Sequence, residues 1–96
     1  MHAKSEAVIT QEWVDQETKA LYQLVDEFSA AMKEKLKQKV LEGRGGWQDT
    51  ANRAEIYNSM LAHGAGIPFA KNQEAHVANL AMILWYQRTQ LLGDQS

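Results

Sequence analysis

The sequence predicts an all-α protein: a long N-terminal helix and two shorter ones, in a helical bundle completed by oligomerisation. Three observations carry that prediction. Residues 11–42 contain no Gly or Pro, apolar side chains recur through them at helical spacing, and the glycines that follow separate two further helical runs.

The first run has Thr10 as its N-cap, because a hydroxyl there satisfies a backbone N–H that has no partner inside the helix. Val14, Leu21 and Phe28 repeat every seven residues, and Leu24, Val25, Ala31, Met32, Leu36 and Val40 fill the same face. Gly43 ends it, since glycine adopts the left-handed conformation that closes a helix. After the loop Gly43-Arg44-Gly45-Gly46-Trp47, Asp49 or Thr50 caps a second helix to about His63, with Ala54, Ile56, Tyr57, Met60 and Leu61 as its apolar face. Gly64-Ala65-Gly66-Ile67-Pro68 stops it. Asn72 caps a third helix, Gln73 to about Leu92, closed by Gly93. Its middle, from Val77 to Tyr86, is apolar nearly all round and reads as a buried helix.

The lengths do not match. At 1.5 Å per residue, the three helices run about 48, 20 and 30 Å. Two short helices cannot cover the whole apolar stripe of the long one. Either the first run is broken in two, or a second copy of the chain buries part of its stripe. The uninterrupted helix-forming sequence favours the second copy, and a small chain gains from association because alone it buries a limited share of its surface.

With 96 residues, 45% hydrophobic and 23% charged, residues 1–96 form one ordinary helical domain. The absence of cysteine excludes disulfides and thiolate metal sites. Met1-His2-Ala3-Lys4-Ser5-Glu6 is polar with no apolar signal core after it, and the apolar stretch from Leu80 to Tyr86 is too short to span a membrane. The expected location is the cytosol. Net charge is −2, unevenly spread. Residues 1–32 hold six acids and two lysines; residues 33–47 hold five bases and two acids. A phosphate-neutralising nucleic-acid binder is usually more basic than this, so that class is disfavoured.

The most distinctive string is the glycine loop. Its glycines admit an anion to backbone N–H groups, Arg44 offers a bidentate fork, and Trp47 offers a stacking face. That set suits a nucleotide or another phosphate ligand, with Lys37 and Lys39 adding charge on the preceding helix. No Walker pattern accompanies it, so a plain C-cap and turn, with Trp47 plugging the end of the core, stands as the alternative. Lys33, Lys35, Lys37 and Lys39 form two adjacent stripes: an anion-binding flank, or a solvated face favoured by the helix dipole.

His63, Glu74 and His76 would suit a metal or acid–base pair, but Glu74 and His76 are two apart on a helix and face different ways. Glu12 and Asp15 place two carboxylates on one helix face. A helical magnesium-dependent hydrolase needs a second such pair on a facing helix, where only Glu55 and Glu74 are on offer. No catalytic set, metal site or cofactor is therefore assigned. Trp13, Trp85 and Tyr86 read as core or interface anchors, and Asn79 in the apolar helix requires a hydrogen-bond partner.

Ala31-Met32-Lys33 with Lys35-Leu36, then Gly43-Arg44-Gly45-Gly46-Trp47, then His63, then Val77-Ala78-Asn79-Leu80-Ala81-Met82 resemble short helical accessory proteins of tailed phages, a group similar to the MazG-like all-α nucleotide pyrophosphohydrolases. The resemblance spans roughly Phe28 to Arg88. It implies phage origin, an all-α fold and a role in countering host defence from the host cytosol. In that group an acid precedes the histidine matching His63, and another stands at the place of His76. Here those places hold Ala62 and His76, which removes carboxylates that magnesium chemistry would need.

The function expected is a non-enzymatic, homo-oligomeric binding protein that captures a nucleotide-type ligand or a host protein, with Arg44, Trp47, Lys37 and Lys39 as ligand-binding residues. The alternatives are a reduced magnesium-dependent pyrophosphohydrolase using Glu12, Asp15, Glu55 and Glu74, and a nucleic-acid-binding accessory protein.

Overall fold

The computed structural model describes residues 9–93. The polar stretch 1–6, on which part of the cytosolic reading rests, lies outside them. Among the described residues every regular element is helical. Helix α1 spans Gln11–Leu41, α2 spans Arg53–Ala65 and α3 spans Gln73–Tyr86. A 3₁₀ turn, Thr50–Asn52, leads into α2, and a π-helical turn, Gln87–Leu91, extends α3.

Local sequence sets most of these boundaries. Thr10 accepts a hydrogen bond from the Trp13 N–H at 3.1 Å, which caps α1. At the other end, Gly43 sits at φ 84°. Its N–H donates to the Val40 carbonyl at 2.9 Å, and that of Arg44 reaches back to Lys39 at 2.9 Å. This paired closure needs a left-handed residue at Gly43, which glycine supplies without steric cost. Asp49 caps the 3₁₀ turn through Ala51 N at 3.0 Å, so three residues of tighter helix separate the cap from α2.

One expectation for α3 needs correction, and another is met with a change of geometry. Asn72 precedes it, but in the left-handed conformation at φ 67°, and its side chain makes no capping bond. The α-helical geometry also stops at Tyr86, although the helical run itself reaches Leu91, close to the expected Leu92. From Gln87 the backbone widens, with the Leu92 N–H donating to the Gln87 carbonyl five residues back at 2.8 Å. Such wide turns interrupt an α-helix where a side chain is engaged elsewhere, and Gln87 is engaged, as described below.

Helices α2 and α3 form an antiparallel hairpin. His63 at the end of α2 meets Gln73 and His76 at the start of α3, while Arg53 at the start of α2 reaches Leu84 and Gln87 at the far end. Helix α3 packs on the second half of α1, where Asn79 Nδ2 donates to the Met32 carbonyl at 3.0 Å. Apart from Thr18, residues 11–28 of α1 are all exposed.

The apolar middle of α3 is not a buried helix within one chain. Ala75 is the one apolar side chain fully buried among the described residues, and Trp85 remains 54% exposed. The radius of gyration is 17.2 Å, against about 12 Å for a compact chain of this length. The reason is geometric. Three helices with a 50 Å long axis leave most of their apolar faces without an opposing layer.

Candidate functional site

A cleft of about 710 Å³ opens between the second half of α1, the glycine loop, α2 and α3. It falls within the range of small-molecule sites, and apolar side chains such as Leu36, Val40, Ile56 and Ile83 make up much of its wall. Polar groups stand at chosen points: Lys39 and Arg44 from α1 and its loop, Glu55 and Ser59 from α2, His76 and Asn79 from α3.

The loop is shaped before any ligand arrives. Gly43 aims the chain so that Arg44 and Trp47 reach the cleft. Gly46, at φ 82°, accepts from Asn52 Nδ2 at 3.2 Å and from the Asp49 N–H at 3.0 Å. A Cβ on Gly46 would stand 3.3 Å from Asn52 Nδ2, so any other residue there combines crowding with backbone strain.

Gln87 fastens the loop to α3. It is fully buried. Its amide donates to the carbonyls of Trp47 at 2.8 Å and Asp49 at 3.3 Å, and its carbonyl accepts from Arg53 Nη1 at 3.2 Å. The same Arg53 nitrogen donates to the Leu84 carbonyl at 3.1 Å. One side chain thus ties together the loop, the start of α2 and the end of α3. Trp47 packs edge-on to Tyr86, with ring centroids 5.2 Å apart. At 44% exposed, Trp47 forms a wall of the cleft rather than plugging a core.

At the other end of the hairpin His63 and His76 stack edge to face, 4.2 Å between centroids, and His63 Nδ1 lies 2.7 Å from Gln73 Oε1. The His76 imidazole has its pKa lowered from 6.5 to about 4. Burial is the largest cause, followed by the positive charge of His63, Lys39, Lys35 and Arg44. Cationic groups therefore crowd this end of the cleft. Asn79 Oδ1 is buried there with no protein hydrogen-bond partner among the described residues.

Of the residues singled out in the sequence, Arg44, Trp47 and Lys39 line the cleft and Lys37 does not. Lys39 also pairs with Glu42 at 3.7 Å. Glu74 is exposed at the start of α3, and Asp15 accepts from Gln11 Nε2 at 2.8 Å in the first turns of α1. Glu55 lines the cleft, but the α1 wall of the cleft begins at Leu36. That is 21 residues, about 31 Å, beyond Asp15. The carboxylates required for a magnesium cage do not converge within one chain. No group of three or more metal-ligating side chains occurs among the described residues. Gln87 and Arg53 carry no signal in the sequence, since a lone polar residue after Trp85-Tyr86 looks like a solvated helix end.

Compared with protein families, with curated proteins and with solved structures, the chain matches none. No helix among the described residues is long and apolar enough to cross a membrane.

Proposed function

We propose that this protein is a non-enzymatic binding protein that captures a nucleotide-type ligand in the cleft and works as a homo-oligomer. The observation that carries the reading is the meeting of Arg44, Lys39 and Trp47 on one cleft, supplied by a loop already held in shape. In this reading Arg44 and Lys39 pair with phosphate and Trp47 stacks on a base. Lys37, off the cleft wall, contributes long-range charge and no direct contact. The spread of Glu12, Asp15, Glu55 and Glu74 supports binding over magnesium-dependent hydrolysis. The resemblance in the loop and in α3 to phage accessory proteins supplies the setting: a phage product acting in the host cytosol against a host defence, with a host protein as the other class of target.

Calorimetric titration with nucleoside mono-, di- and triphosphates tests the ligand. Arg44→Ala should weaken binding about tenfold or more, as expected for the loss of a charge-assisted hydrogen bond of about 1.5–3 kcal/mol. Trp47→Ala should cost a similar amount through lost stacking. If neither change alters binding, or if no nucleotide binds at millimolar concentration, the nucleotide reading fails.

A further inference from the structure

The first half of α1 is an amphipathic helix, and among the described residues no layer from its own chain covers its apolar side chains. Leu21, Leu24 and Val25 are each more than half exposed, and Phe28 is 38% exposed. In proteins most helical stability comes from packing of an amphipathic face, so the exposed stripe calls for something along it. The identity of that partner is written in the helix itself.

Val14, Leu21 and Phe28 occupy one position of a seven-residue repeat, and the next such position is Lys35. Three residues further on in each repeat stand Glu17, Leu24, Ala31 and Gln38. In a parallel pair each position meets its own copy, which sets Glu17 against Glu17 and Lys35 against Lys35. An antiparallel pair centred on residue 26 matches the two series instead. Val14 then meets Gln38, Glu17 meets Lys35, Leu21 meets Ala31, and Leu24 meets Phe28. The like-charge clashes at Glu17 and Lys35 become attractions, Leu21, Leu24 and Phe28 fall opposite apolar residues, and Val14 alone meets a polar one, Gln38.

The wider charge pattern agrees. Residues 11–28 carry five acids and one lysine, whereas residues 29–44 carry five bases and two acids. Antiparallel alignment lays the acidic half of one helix along the basic half of the other. Beside that basic half, Ala31, Glu34, Lys35 and Gln38 form with Asn72 a shallow groove just before the start of α3.

We propose that two copies of this chain pair antiparallel along α1, the acidic first half of each lying against the basic second half of the other. This specifies the partner for the homo-oligomer reading above and is independent of the ligand. A second copy is favoured over an unrelated partner because one helix carries both halves of the complementary pattern in one register.

The chain has no cysteine, so crosslinks can be placed without background. The double variant Val14→Cys/Gln38→Cys should oxidise under mild conditions to disulfide-linked dimers. Val14→Cys alone should not, because antiparallel pairing holds the two copies of residue 14 about 36 Å apart. A self-linked Val14→Cys dimer, or a double variant that stays monomeric on oxidation, overturns the proposal. Charge exchange gives a second measurement by sedimentation across protein concentrations. Glu17→Lys and Lys35→Glu should each weaken the dimer about tenfold, since each disrupts two symmetry-related pairs, and combining them should restore it. Absence of rescue counts against the antiparallel register. Nucleotide titration of the same variants is a separate readout, so failure of the dimer and failure of the ligand site give different results.

Discussion

At its C-terminal end α1 runs into a loop held by Gly43, Asn52 and the buried Gln87, while its N-terminal half, capped by Thr10, carries Leu21, Leu24 and Phe28 into solvent. The two ends belong to one helix of 31 residues, yet contacts within the chain hold one end while the apolar stripe of the other stays exposed. The difference shows where the chain spends its specific contacts. Polar side chains converge on the cleft, and the apolar stripe of the first half is left exposed.

The largest effect that would sharpen this contrast is expected from Gln87→Ala. It removes three hydrogen bonds from a fully buried site and strands the groups they served. A loss of about 3 kcal/mol in stability is expected from urea unfolding, concentrated in the loop, α2 and the end of α3 by amide exchange. Exchange rising equally across residues 11–28 would break the contrast, since it would make the two ends one cooperative unit.

A smaller effect should appear on acidification. The folded state holds His76 at about 4, below its ordinary 6.5, so the unfolded chain takes up a proton that the folded chain refuses. Stability is full above pH 6.5 and should decline as pH falls from 6.5 to about 4. A thermal-melt series should show this decline, and His76→Gln should flatten it. Occupation of the cationic end of the cleft by phosphate should also reduce it, because a bound anion favours the charged imidazole. A decline that His76→Gln leaves unchanged would place the titrating group elsewhere.

The smallest effect is expected at the bare end. Thr10→Ala removes the N-cap bond and should cost about 1 kcal/mol of local helix stability. Faster amide exchange should appear at residues 13–20, with little change at Asn79 or Gln87. A loss of stability as large as that of Gln87→Ala would show that the N-terminal half is structurally coupled to the cleft.

Much of this architecture can be read from the sequence because its causes are local. Thr10, Gly43 and Asp49 mark ends through bonds to residues two to four positions away, and the spacing of Val14, Leu21 and Phe28 gives the helix its face. The site is partly legible for the same reason: Arg44 and Trp47 share a short glycine loop whose chemistry is visible in five letters. The sequence also places two histidines at the facing ends of consecutive helices, but not their ring contact.

Tertiary structure alone decided the rest. The Gln87 bonds to Arg53 and Trp47 link residues 34 and 40 positions apart, and the Asn79 bond to Met32 links residues 47 apart. Nothing in the letters near Gln87 distinguishes a fully buried hub from an exposed glutamine, because its burial depends on how the loop and hairpin pack. The π-helical turn likewise begins at the residue that distant groups hold, Gln87, whereas the left-handed Asn72 adopts a conformation that asparagine tolerates locally. The apolar run in α3 shows the converse. Composition made it look buried, but burial requires an opposing surface, and a single chain with three helices supplies too little of one.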